Sequence, residues 1–81
     1  MNPDITKVKE LTVQIHRLLA GHGPEIQGTV LSDLLATWLA GHIDLTSRED
    51  TKAVRERLLA MHIGMVEKLL PVNAKGMGQP W

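Results

Sequence analysis

The sequence predicts an all-α protein: a three-helix bundle with a non-helical C-terminal tail, dimerising through helices 2 and 3. Three observations carry this. Apolar residues recur at helical spacing in three stretches. Glycine or proline punctuates each stretch at its end. The 81 residues hold 43% hydrophobic and 22% charged side chains, the balance of a globular chain rather than a disordered one. Residues 1–70 form the helical domain on this reading and 71–81 the tail.

Helix 1 is expected over residues 3–20. Asn2 can cap it and Pro3 is tolerated in its first turn. Ile5, Val8, Leu11, Ile15, Leu18 and Leu19 fall on one face, with Lys7, Lys9, Glu10, Gln14 and Arg17 away from it. Gly21 supplies a left-handed stop, and Gly23-Pro24 restarts the chain.

Helix 2 is expected from Pro24 to Ala40. Ile26, Val30, Leu31, Leu34, Leu35, Trp38 and Leu39 cover more than half of its circumference. On the other side Gly28, Ser32, Ala36 and Ala40 form an i, i+4 ladder of small residues that lets another backbone approach. After Glu25 the only charge is Asp33. Gly41 is read as ending this helix as Gly21 ends the first.

Helix 3 opens on overlapping capping signals, Thr46-x-x-Glu49 and Ser47-x-x-Asp50. Val54, Leu58, Met61, Met65, Val66 and Leu69 form its main face; Leu59, Ile63 and Leu70 widen it. Lys52 and Glu56 stand at ion-pair spacing. Gly64 inside the helix suggests close packing. Pro71 is expected to end the helix near Leu70, because it lacks an N–H and clashes with the preceding turn.

Several function classes have no support. The chain has no cysteine, so disulfides and thiolate metal sites are excluded. Nine basic and nine acidic residues cancel, leaving no basic footprint, so no nucleic-acid partner is expected. Arg48, Lys52, Arg55 and Arg57 alternate with Glu49, Asp50 and Glu56, as on a solvated face. No apolar run approaches membrane-spanning length and no basic, then apolar, leader opens the chain; a cytoplasmic protein without membrane contact is the default.

Histidines are the main chemical resource: His16, His22, His42 and His62. No two lie at the helical spacing that pre-orients zinc ligands. His22 and His42 close consecutive antiparallel helices, about 25 Å apart at 1.5 Å per residue. No metal site, cofactor or catalytic residue is therefore assigned. The echo Leu19-Ala20-Gly21-His22 and Leu39-Ala40-Gly41-His42 reads as one way of ending a helix, with the histidine suited to the negative end of the dipole.

Asp33, Arg55 and His62 are polar residues on apolar faces, and a buried polar group must find partners. They are expected either to form one structural polar cluster or to contact helix ends. A catalytic acid–base pair is the weaker alternative, in a chain with little room to wall off a pocket.

The strongest functional reading is self-association. The apolar arcs of helices 2 and 3 exceed what a small bundle covers. Leu35, Trp38, Leu39, Leu59, Ile63 and Leu70 are left seeking a partner, with the terminal Trp81 as a further apolar group. The expectation is a non-enzymatic interaction module that forms a homodimer, with room for a second, different protein partner. The alternative is a small metal- or ligand-binding helical protein using histidines at a subunit interface.

Overall fold

The computed structural model describes residues 4–80 and is all-helical over that span, with α1 Ile5–Leu19, α2 Pro24–Ala40 and α3 Arg48–Gly76. The chain falls into two units, Met1–Leu34 and Leu35–Trp81, with the division inside α2.

In the first unit, α1 is capped by Asp4, not by Asn2, which lies outside the described residues with Pro3. The Asp4 carboxylate accepts the Lys7 N–H at 3.1 Å and so satisfies one of the donors that every helix start leaves free. Lys7 and Glu10 pair across one turn at 3.6 Å, an exposed contact of little energetic weight. The helix stops where expected: Gly21 takes φ +84°, the left-handed region open to glycine. The turn is closed by a side chain as well. Gln27, in the second turn of α2, donates its amide to the Leu19 carbonyl at 2.8 Å, which satisfies one of the acceptors a helix end leaves free.

In the second unit, α2 ends at Ala40, but Gly41 does not repeat Gly21. Its φ is not positive, and its N–H reaches back to Thr37 and Trp38 at 3.2 Å each. The link to α3 is knotted by hydrogen bonds. The Asp44 carboxylate accepts the Thr46 N–H at 2.8 Å and the Thr46 hydroxyl. Thr51, one of the two buried residues among those described, accepts the Asp44 N–H at 2.8 Å. Its own hydroxyl can donate to the Asp44 or the Ser47 carbonyl, 3.0 Å away in either case. Of the two capping signals the structure uses the second: Ser47 Oγ accepts the Asp50 N–H at 3.1 Å. The Lys52–Glu56 pair forms at 3.9 Å on an exposed face.

The expected end of α3 is corrected. Pro71 lies inside the helix, which runs on to Gly76, so the first part of the segment read as an extended tail is helical. Pro71 leaves the carbonyl of Glu67 without its i+4 donor. Glu67 is exposed, and water can take that place. The true stop is a Schellman motif. Gly78 has φ +78°, its N–H bonds the Lys75 carbonyl at 3.0 Å, and the Gln79 N–H bonds the Ala74 carbonyl at 3.0 Å. Ala74, which accepts that bond, is the other buried residue. Alanine at position 78 would meet no atom within 4 Å, so its cost is the left-handed backbone alone, about 1–2 kcal/mol. Gly78→Ala should therefore raise amide hydrogen exchange over Val72–Gly76 and leave the link Ile43–Ser47 unchanged. Uniform exchange in both proteins would mean that Pro71, not Gly78, sets the end.

Gly28 and Gly64 do not mark close approaches: a Cβ on either would meet nothing within 4 Å. The large apolar side chains of all three helices are mostly exposed.

Candidate functional site

The residues singled out by sequence converge on the corner where α2 ends and α3 begins its fourth turn. Trp38 stands at its centre. Four residues on, just past the end of α2, His42 donates Nδ1–H to the Trp38 carbonyl at 2.8 Å, since a carbonyl oxygen can only accept. Its ring meets the indole edge-on, with centroids 4.6 Å apart and planes at 67°. From α3, His62 meets the same indole at 4.9 Å and 88°. Edge-to-face pairs of this kind contribute about 0.5–1.5 kcal/mol each beyond the area they bury.

Arg55 completes the corner. Its Nη2 donates to the Ala40 carbonyl at 2.8 Å and its Nε to the His42 carbonyl at 3.0 Å. A guanidinium thus sits at the negative end of α2 and satisfies acceptors that no intrahelical N–H can reach. The expected cluster of Asp33, Arg55 and His62 is replaced by separate contacts. Arg55 takes the helix end, His62 takes Trp38, and Asp33 is exposed in the first unit, where water solvates it. The expectation assumed burial of all three. Arg55 and His62 are only half-buried, so no desolvation penalty forces the charges together.

The Asp44 carboxyl is held below the usual carboxylate range. The Thr46 hydroxyl bond is the main cause, with the Thr46 N–H bond next. The bonded form is the ionised one. Stability from this contact is therefore fully present above the unfolded-state value of 3.8 and fades as pH falls through the lower folded-state value. Asp44→Asn should flatten that acid limb in melts between about pH 2 and 5. An unchanged acid limb would mean that the Thr46 contacts do not persist in solution.

Beside the corner, Ala36, Leu39, Ala40, Arg55, Glu56 and Leu59 line a groove of about 320 Å³. Among the expected interface residues, Leu35 and Leu39 are half-buried, whereas Trp38, Leu59, Ile63 and Leu70 are exposed at 43, 36, 48 and 63%. Trp81 lies outside the described residues. Sequence reasoning missed Gln27 and Thr51. Nothing local marks either, because each serves a carbonyl or amide seven or eight residues away.

The fold and this corner define a small helical chain whose polar side chains close its own turns. Among the described residues no group of three or more His, Cys, Asp or Glu side chains is placed to hold a metal ion, and no helix is long and apolar enough to cross a membrane. No family model, curated protein or solved structure matches the chain.

Proposed function

We propose that the chain is a non-enzymatic interaction module that self-associates through α2 and α3. One observation carries the reading: Trp38 on α2 and Ile63 and Leu70 on α3 remain 43–63% exposed. Exposed apolar groups in such a run are a liability for a lone chain and are covered when two copies meet. The polar residues support the same reading. Arg55, His42 and Thr51 bond the backbone of their own turns.

Native mass spectrometry at low micromolar concentration, on protein purified without added metal, tests the proposal. A two-chain mass that persists in chelator is expected. A single-chain mass would overturn the proposal, as would a dimer that falls apart when metal is removed.

A further inference from the structure

We infer that the concavity where the α2–α3 link meets the first turns of α3 binds a small organic acid, a carboxylate joined to an apolar body. The inference does not rest on the self-association proposed above and holds for one copy or two.

The walls are fixed by the chain itself. Thr51 ties the Asp44 backbone to α3, and Thr46 holds the Asp44 carboxylate, so the shape is set before a ligand arrives. The concavity has a volume of about 470 Å³, within the roughly 300–1,000 Å³ of sites that hold small molecules. Ile43 and Leu45 form its apolar part. They are 62 and 90% exposed, although the residues between and beside them are bonded in place.

The charges select an anion. Basic and acidic residues alternate along this stretch of sequence, but in space they separate. Arg48, Lys52 and Arg55 stand at i, i+4 and i+7 and line the concavity, whereas Glu49 and Asp50 do not. The two carboxylates that do line it are engaged. Asp44 accepts both Thr46 donors, and Glu56 pairs with Lys52 at 3.9 Å. The arginines keep capacity. Arg48 forms no ion pair among the described residues. Arg55 uses two of its five N–H donors on the carbonyls at the end of α2, which holds the guanidinium still and leaves three. A carboxylate matches a guanidinium fork with two parallel bonds. A hydrocarbon body attached to it would cover Ile43 and Leu45. An inorganic anion would leave those two in water, and an organic cation would meet three like charges.

Octanoate carries both parts and is the probe. Octanol carries the body without the charge, and acetate the charge without the body. Each is titrated into the nitrogen-15-labelled full-length chain and followed by amide chemical shifts. Octanoate is expected to shift the amides of Ile43–Lys52 and to bind about tenfold tighter than either control, because a charged hydrogen bond and a covered apolar contact each contribute about that factor. Arg48→Gln should weaken octanoate about tenfold and leave octanol unchanged. Leu45→Asn should weaken both. Both side chains are exposed, so neither change disturbs the fold. Arg57→Gln removes a cation of the same helix outside the concavity and should leave octanoate within about twofold. Equal binding of octanol and octanoate, or shifts spread along the exposed apolar faces of the three helices, would mean general adsorption and overturn the inference. Octanoate shifts that survive both Arg48→Gln and Leu45→Asn would overturn it too, as would the absence of any shift at millimolar octanoate.

Discussion

On the self-association proposed above, the double substitution Ile63→Asp/Leu70→Asp is expected to leave the chain monomeric at concentrations where the parent chain pairs. Both side chains are substantially exposed within one chain, at 48 and 63%, so neither change removes an intramolecular contact of consequence. In a pair formed through α3 each would put a carboxylate where an apolar group is covered. Central apolar positions of an interface cost about 2 kcal/mol or more when lost. Two of them give about 4 kcal/mol, or a dissociation constant raised about a thousandfold. Analytical ultracentrifugation over a dilution series measures this directly. Lys68→Glu, on the opposite side of α3, should leave the dissociation constant within about twofold, the range of an exposed charge change. An unchanged dimer in the double variant would exclude α3 from the interface. Circular dichroism of the same samples separates two further cases. A helical monomer means that folding precedes association. Loss of helix with loss of the dimer means that the two are one transition.

How much of this was legible in the sequence depends on how far each signal reaches. The three helices and their order follow from apolar spacing, and the Gly21 turn and the Ser47 cap follow from residue types within four positions of the helix ends. These are local rules, and they do not hold everywhere: Gly41, read by the same rule as Gly21, takes no positive φ. The end of α3 shows two local rules in conflict. Pro71 argues for a stop, but its cost falls on one exposed carbonyl, whereas Gly78 offers a complete cap two turns later, with Pro80 just beyond it. The signal was present in Gly76-Met77-Gly78-Gln79-Pro80, and the nearer proline masked it. Trp38 and His42 stand only four residues apart across the end of α2, so their contact is a local one. The Trp38–His62 contact was not, because it depends on how α3 returns after the link.

The polar residues illustrate the same boundary. Placing Asp33, Arg55 and His62 together required both burial and a particular docking of helices, and periodicity supplies neither. What periodicity does supply is a candidate face for each residue. For Arg55 it gives the broad apolar face of α3, and in the structure the guanidinium bonds the carbonyls at the end of α2. Gln27 does the same for α1 with one bond. In both turns a long polar side chain of the following helix satisfies the last carbonyls of the preceding one, a device that fixes the corner without a large core. The device fits a chain in which Ala74 is the buried hydrophobic residue among those described.

Arg55→Met is therefore expected to be the most destabilising single change at the corner. Methionine keeps much of the aliphatic stem and loses both donors, so the loss reports hydrogen bonds rather than packing. A bond from a charged donor contributes about 1.5–3 kcal/mol net, and a cation at a helix C-terminus about 0.3–1 kcal/mol more. Arg55 is half-buried and water can replace part of what it gives, which brings the expected total for its two bonds to about 2 kcal/mol. For a chain of this size that lowers the melting temperature by about 8–16 °C. Arg55→Lys keeps the charge but cannot reach both carbonyls with a fixed fork, and should recover about half of the loss. Placing both changes in the Ile63→Asp/Leu70→Asp background removes any contribution from association, so the melt then reports the corner alone. If Arg55→Met melts with its parent there, the guanidinium contacts carry no net stability. Hydrogen exchange would then show the last turn of α2, Thr37–Ala40, protected equally in both. Faster exchange confined to that turn is the signature of a lost cap, because a general loss of packing would spread into α3.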